Sequence, residues 1–396
     1  MLYNADAFEP LTDVPWAEDR VRDEIAAIVA DVDGHFDPDE LWPANEWDAW
    51  NSTPPLKDLY CGAGGVLLAL DILRRRGLAE TAVDLTATVH SVLERWRVEP
   101  DLSGGEIELP TPSASSLLGG ETGLLLVAWR LDPTEELAAT LLARIRENVD
   151  NEAEELMWGA PGTMLAARLM DGWTGEERWE EAWHESAVAL LDRRDADGIW
   201  KQRLHGKEYR MLGPVHGLVG IVHVLLQAED LRDRLERETA AILAQEAIVE
   251  DGLATWPPVA GGSLVPKDGL IRLQWCHGAP GIVATAAPYL DEELLLAGAE
   301  LTWRAGAHGE EKGVGICHGT AGNGFALLKT FERTGDERWL ERARRFAVHA
   351  LGQVERTRAD VGHGRYSLFS GDLGVALFAS ACLEGEARFP VLDGWA

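Results

Sequence analysis

Apolar residues in this chain gather in short blocks that alternate with longer amphipathic stretches. The blocks at 66–70, 124–129, 163–170 and 221–226 are apolar on nearly every side, and a helix of that kind is buried on most sides. The stretches between them, such as 80–97, 135–149 and 338–351, interleave apolar positions at helical spacing with charges, the pattern of a helix with one wet face. Each block follows a Gly-x-x-Gly element. The copies are Gly62 and Gly65, Gly120 and Gly123, Gly159 and Gly162, Gly217 and Gly220, Gly278 and Gly281, Gly319 and Gly322, and Gly371 and Gly374. They recur every 40–60 residues, roughly, which suits a helical hairpin with its connections. Two amphipathic stretches also open alike, with Thr174-Gly-Glu-Glu-Arg-Trp179 and Thr334-Gly-Asp-Glu-Arg-Trp339. That echo supports true repetition.

Seven buried inner helices alternating with amphipathic outer ones predict an all-α fold, a seven-fold double-layered α/α toroid. An open solenoid needs polar capping repeats at both ends. The last repeat, 366–382, is as apolar as the middle ones, so closure is the better expectation. Residues 59–396 would form the ring as a single domain, and residues 1–58 an N-terminal segment packed on it. The stretch 97–116, rich in Pro, Ser and Gly, is expected to be a loop over one face. The stretch 251–269, with Pro257, Pro258 and Pro266, is expected to be a lid.

At 396 residues and 46% hydrophobic content the chain has material for an ample core. Its 67 acids against 36 bases give a net charge of −31. That field repels nucleic acid and anionic membranes, and marks either a solvated surface or adaptation to a salty cell interior. No apolar run is long enough to cross a bilayer. The first twenty residues are acidic and interrupted by Pro10 and Pro15, unlike a signal peptide. A cytoplasmic protein is the expectation. Four cysteines in so long a chain argue against a disulfide framework and leave metal binding or reactivity open.

In a closed ring, equivalent positions of successive repeats face one axis. The two residues before each glycine pair are Tyr60-Cys61, Leu118-Gly119, Met157-Trp158, Val215-His216, Cys276-His277, Cys317-His318 and Phe369-Ser370. Three of the eleven histidines and three of the four cysteines fall in this slot. Zinc takes thiolate sulfur and imidazole nitrogen in a tetrahedral array, and a catalytic site keeps one position open. Cys276 and Cys317 stand at the same offset in adjacent repeats, and His318 or His277 could complete the set. A closed structural site using both histidines is disfavoured, since adjacent Cys and His side chains rarely both reach one metal. Cys61 and Cys382 lack an evident partner and are expected in the core.

At Trp275-Cys-His-Gly-Ala-Pro-Gly281 and Gly315-Ile-Cys-His-Gly-Thr-Ala-Gly-Asn323 the sequence resembles the lanthionine synthetase C-like family, and the likeness runs from Leu59 onward. The resemblance implies a seven-fold α/α toroid with a central zinc ion (Zn2+) on Cys276, Cys317 and His318. Several features are similar to the eukaryotic-type members rather than to lantibiotic cyclases: Tyr366-Ser-Leu-Phe369, Ala387-Arg-Phe-Pro390, Glu155 and His277. Lys312, five residues before Cys317, matches a basic residue that glutathione-binding relatives place near the tripeptide.

A centre with two thiolates and one neutral imidazole would bind a substrate thiol as thiolate near pH ~7. The implied reaction is Michael addition of that sulfur to dehydroalanine or dehydrobutyrine. His216 is the candidate acid/base, Arg272 the candidate for enolate stabilisation, and Glu155 the residue that would orient His216. His277 joins the catalytic candidates and Lys312 is the candidate substrate-binding residue. The partners implied are a thiol, either a peptide cysteine or a glutathione-like small thiol, and a polypeptide carrying a dehydroamino acid. Two other classes stay open: a non-catalytic zinc- and glutathione-binding adaptor, and a helical-barrel glycosidase, whose chemistry asks for no Cys-His-Gly.

Overall fold

The computed structural model describes residues 1–49, 52–101 and 108–395, with Lys312 described by its backbone. Among these, fourteen α-helices form two layers. The outer layer is α1 (Glu18–Gly34), α3 (Leu85–Val98), α5 (Glu135–Glu147), α7 (Glu177–Asp192), α9 (Glu229–Glu246), α11 (Glu292–Ala305) and α13 (Glu337–Val361). The inner layer is α2 (Ala63–Arg75), α4 (Glu121–Leu131), α6 (Ala160–Thr174), α8 (Leu218–Leu225), α10 (Ala279–Ala286), α12 (Thr320–Thr334) and α14 (Asp372–Glu384).

Burial follows the sequence pattern. Helix α3 buries Leu85, Val89, Val92, Leu93 and Trp96, a stripe along one face. Helix α14 is buried at every position from Asp372 to Cys382. Side-chain caps start several outer helices: Asp84 accepts from the Ala87 N–H, Thr134 from Leu137 and Asp336 from Arg338. The repeated Thr-Gly words are the turns between layers. Gly175 and Gly335 end α6 and α12 in the left-handed region, at φ 65° and 68°, where glycine carries no Cβ penalty.

Each inner helix touches the next, and α14 touches α2, so the ring is closed. The second glycine of each pair explains how repeats come so near. A Cβ on Gly281 would lie 1.8 Å from the Trp275 carbonyl oxygen and 2.8 Å from Pro214 Cδ of the preceding repeat. At the closure, a Cβ on Gly65 of the first repeat would lie 2.8 Å from Leu368 Cβ of the seventh. Backbone hydrogen bonds run between slots in the same sense. Tyr60 donates to Leu118, Leu118 to Met157, Leu156 to Val215, Cys276 to Cys317, Cys317 to Phe369, and Phe369 back to Tyr60. Between the fourth and fifth repeats the link is packing, Gly213 lying against the Cys276 carbonyl.

Among the described residues, no outer helix follows the seventh inner helix. Helix α1 takes that place, packing on α14 from the opposite end of the chain. After α14 the chain turns across the C-terminal ends of the inner helices. Phe389 stacks on Trp275 at 4.2 Å, Arg130 donates to the Trp395 carbonyl, and Lys329 pairs with Asp393.

Among the described residues, three short two-stranded pairings decorate the ring. Phe8–Glu9 pairs with Ala307–His308, Gln202–Leu204 with Lys207–Tyr209, and Ile248–Glu250 with Leu253–Thr255. The last falls partly within 251–269, so the expected lid begins as a strand. Residues 102–107 of the expected loop lie outside the described set. Among the described residues, no helix is long and apolar enough to cross a membrane.

Candidate metal centre

Cys276 and Cys317 reach the axis because their backbones are tied in series, Cys276 N–H to Cys317 and Cys317 N–H to Phe369. The two sulfurs and an imidazole nitrogen of His318 all lie within 4.8 Å of one another. Cys317 Sγ stands 3.5 Å from His318 Nε2. Sulfur and nitrogen ligands on one tetrahedral zinc are separated by about 3.5 Å, and two sulfurs by about 3.8 Å. The donor set therefore fits zinc in kind and in spacing. His277 is not part of this group.

Outer contacts favour negative charge on sulfur. Gln274 Nε2 donates to Cys276 Sγ at 2.8 Å, and the Tyr60 hydroxyl hydrogen-bonds to Cys317. Burial opposes ionisation of both thiols, but the Cys317 hydrogen bond and the neighbouring His318 draw Cys276 well below the usual thiol range. Burial and the Cys276 charge together push Cys317 up. A divalent ion is what would let both ionise.

His216 faces the same axis from the fourth repeat. Its Nδ1 lies 2.7 Å from Glu155 Oε2. Glu155 is fully buried and also accepts from the Met157 N–H at 3.0 Å and the Trp158 N–H at 2.6 Å. With only donors around that carboxyl, Nδ1 carries the proton and Nε2 is left for chemistry. Burial disfavours the His216 cation, but the charge and hydrogen bond of Glu155 outweigh it, so His216 titrates above its ordinary value. His277 goes the other way. Burial drives it down to about 4, and the two neighbouring histidines add to that. Its ring stacks on His216 with centroids 6.1 Å apart.

Arg272 is near enough to depress His277, but its guanidinium is occupied by the Asp268 carboxylate and donates to the Leu270 carbonyl at 3.0 Å. Lys312 lies in the short turn Glu310–Lys312 before Cys317, and its side chain is outside the described set.

Cys61 corrects the expectation of a partnerless core thiol. It is buried, yet its Sγ donates to Asp48 at 3.3 Å and lies 3.6 Å from Ser370 Oγ. Asp48 in turn accepts from Arg365 through two nitrogens, at 2.8 and 2.5 Å. Residue Trp47 sits against His318, ring centroids 5.0 Å apart. Tyr60 and Ser370 occupy slot positions, so the repeat itself could have flagged them. Nothing in the sequence pattern pointed to Trp47, Asp48 or Arg365.

Residues 54–393 match the family model described as lanthionine synthetase C-like protein. The chain is similar to the LanC-like protein GCL1 of Arabidopsis thaliana, 32% identical over 260 residues, covering 60% of this chain and 57% of that protein. It is also similar to Glutathione S-transferase LANCL1 of Danio rerio, 28% identical over 197 residues, covering 46% of this chain and 45% of that protein. These alignments span about half the length of each curated relative. Among solved structures, nisin cyclase shares the fold with a TM-score of 0.61 at 15% identity, over 92% of this chain and 94% of that one.

Proposed function

We propose, from the premise that this chain belongs to the lanthionine synthetase C-like family, that it joins a thiol to a dehydroalanine or dehydrobutyrine side chain. The observation that carries this reading is the meeting of Cys276, Cys317 and His318 in one cluster, with His216 held by Glu155 on the same axis. Zinc bound by two thiolates and an imidazole would supply a Lewis acid with an open position that favours substrate thiolate near neutral pH.

The chain's own residues account for the proton. When sulfur bonds to the β carbon, the carbon–carbon π bond breaks and the electron pair moves toward the carbonyl as an enolate. The α carbon then needs a proton. His216 Nε2, with Nδ1 anchored to Glu155, is the group to take the proton the thiol gives up and to deliver it to that carbon. Arg272 is the candidate for enolate stabilisation, a role that requires it to exchange Asp268 for substrate. His277, kept neutral at physiological pH, adds no competing cation beside the thiolates. Lys312 is proposed to meet an anionic group of a glutathione-like thiol.

The test is incubation of zinc-loaded protein with glutathione and a dehydroalanine peptide, read by mass spectrometry. A thioether adduct formed faster than without protein supports the reading. Thiol binding with no adduct across small-thiol and peptide-cysteine substrates would point instead to the adaptor class.

A further inference from the structure

Resting on the reading that Cys276, Cys317 and His318 hold a metal, we infer that Trp47, outside the seven repeats, is a positioning residue of that centre. His318 turns Nε2 toward Cys317 Sγ, at 3.5 Å. Its other nitrogen, Nδ1, is buried and has no hydrogen-bond partner among the described residues. Ligating imidazoles are ordinarily aimed by a hydrogen bond at that second nitrogen. Here the ring is met by Trp47, edge to face, at 5.0 Å and 71°. Aromatic packing of that geometry restricts ring rotation and so substitutes for the missing hydrogen bond.

Trp47 is itself held firmly. Asn45 begins a turn in which its side-chain oxygen accepts the Trp47 N–H at 2.9 Å and its carbonyl accepts those of Asp48 and Ala49 at 3.0 Å. The Arg365 guanidinium lies over the Trp47 ring at 5.3 Å. The neighbouring Asp48 carboxylate is buried and gathers Arg365, Ser370 Oγ at 2.6 Å, and the Cys61 thiol. One turn thereby fastens onto the first, sixth and seventh slots together. The repeats supply the metal donors, and this segment sets the angle of one of them.

Zinc affinity of the full chain, measured by competition with a chromophoric chelator, tests the inference, together with the absorption spectrum of the cobalt-substituted protein. Trp47→Leu leaves an apolar side chain but removes the aromatic edge; Trp47→Phe keeps the edge. Trp47→Leu is expected to weaken zinc binding by roughly 10–100-fold, the range for lost outer contacts. Its cobalt d–d bands should shift while the sulfur charge-transfer band stays, and Trp47→Phe should restore most of both. Thermal unfolding of the metal-free variants separates this from a folding defect; if Trp47→Leu is unstable, the longer non-aromatic Trp47→Met takes its place beside Trp47→Phe, and equal zinc affinity of Trp47→Met, Trp47→Phe and the wild type overturns the inference. Wild-type affinity and spectrum in Trp47→Leu also overturn it, with the metal reading left standing. A wild-type chain that takes up no stoichiometric zinc overturns both.

Discussion

Glu155 Oε2 and His216 Nδ1 stand 2.7 Å apart although the residues are 61 positions apart and belong to neighbouring repeats. The pairing both orients the imidazole and raises its proton affinity. If His216 delivers the proton in its charged form, turnover is present below its pKa and declines as pH rises through it. Glu155→Gln removes the negative charge and should move that alkaline decline to lower pH. An unchanged pH–rate profile in Glu155→Gln would falsify the role given to the pair. His216→Ala should cut adduct formation by roughly 100-fold or more while zinc content and thiol binding persist.

Metal content separates the two adjacent histidines. Cys276→Ala and Cys317→Ala should each lose tightly bound zinc, whereas His277→Ala should keep about one ion per chain, because its ring lies outside the ligand cluster. X-ray absorption of the loaded protein should show two sulfurs and one protein nitrogen. A second histidine nitrogen in the shell, lost in His277→Ala, would count against the assignment.

Repeat packing predicts opposite outcomes for two glycine-to-alanine changes. In Gly281→Ala the new methyl would stand 1.8 Å from the Trp275 carbonyl, one residue before Cys276. The backbone must shift, with an expected loss of about 2–4 kcal/mol in unfolding free energy and reduced zinc uptake. Gly172, inside α6, has open space within 4 Å of where its Cβ would stand, so Gly172→Ala should be stabilising by up to about 1 kcal/mol. Denaturant midpoints of the two variants make the comparison.

Asp372, buried at the start of α14, offers a pH test of stability. Burial raises its carboxyl from 3.8 to about 7, against the opposing backbone hydrogen bond from Arg365. The folded state therefore holds a proton that the unfolded chain has released. Its contribution is fully present below pH ~4, declines as pH rises, and is lost above about 7. Asp372→Asn should flatten the stability profile over that window and gain relative to wild type at pH ~8. Equal slopes in the two proteins between about pH 5 and 8 would contradict the linkage.

What the sequence determined by itself was whatever short-range order dictates. Glycine pairs permit close backbone approach, apolar blocks demand burial, and the seven-fold recurrence of both places Cys276, Cys317 and their neighbours on one axis. These signals survive in one dimension because steric freedom and hydrophobic period belong to the local chain. Tertiary structure decided the rest. It brought α1 from the other end of the chain to serve as the outer partner of α14. It turned His318 toward the sulfurs and left His277 beside His216. It also joined Asp48 to Arg365 across 317 positions and laid Trp47 on His318. Such contacts have no periodicity to reveal them: a side chain's direction and its distant partners follow from how the closed ring packs, which no local pattern encodes.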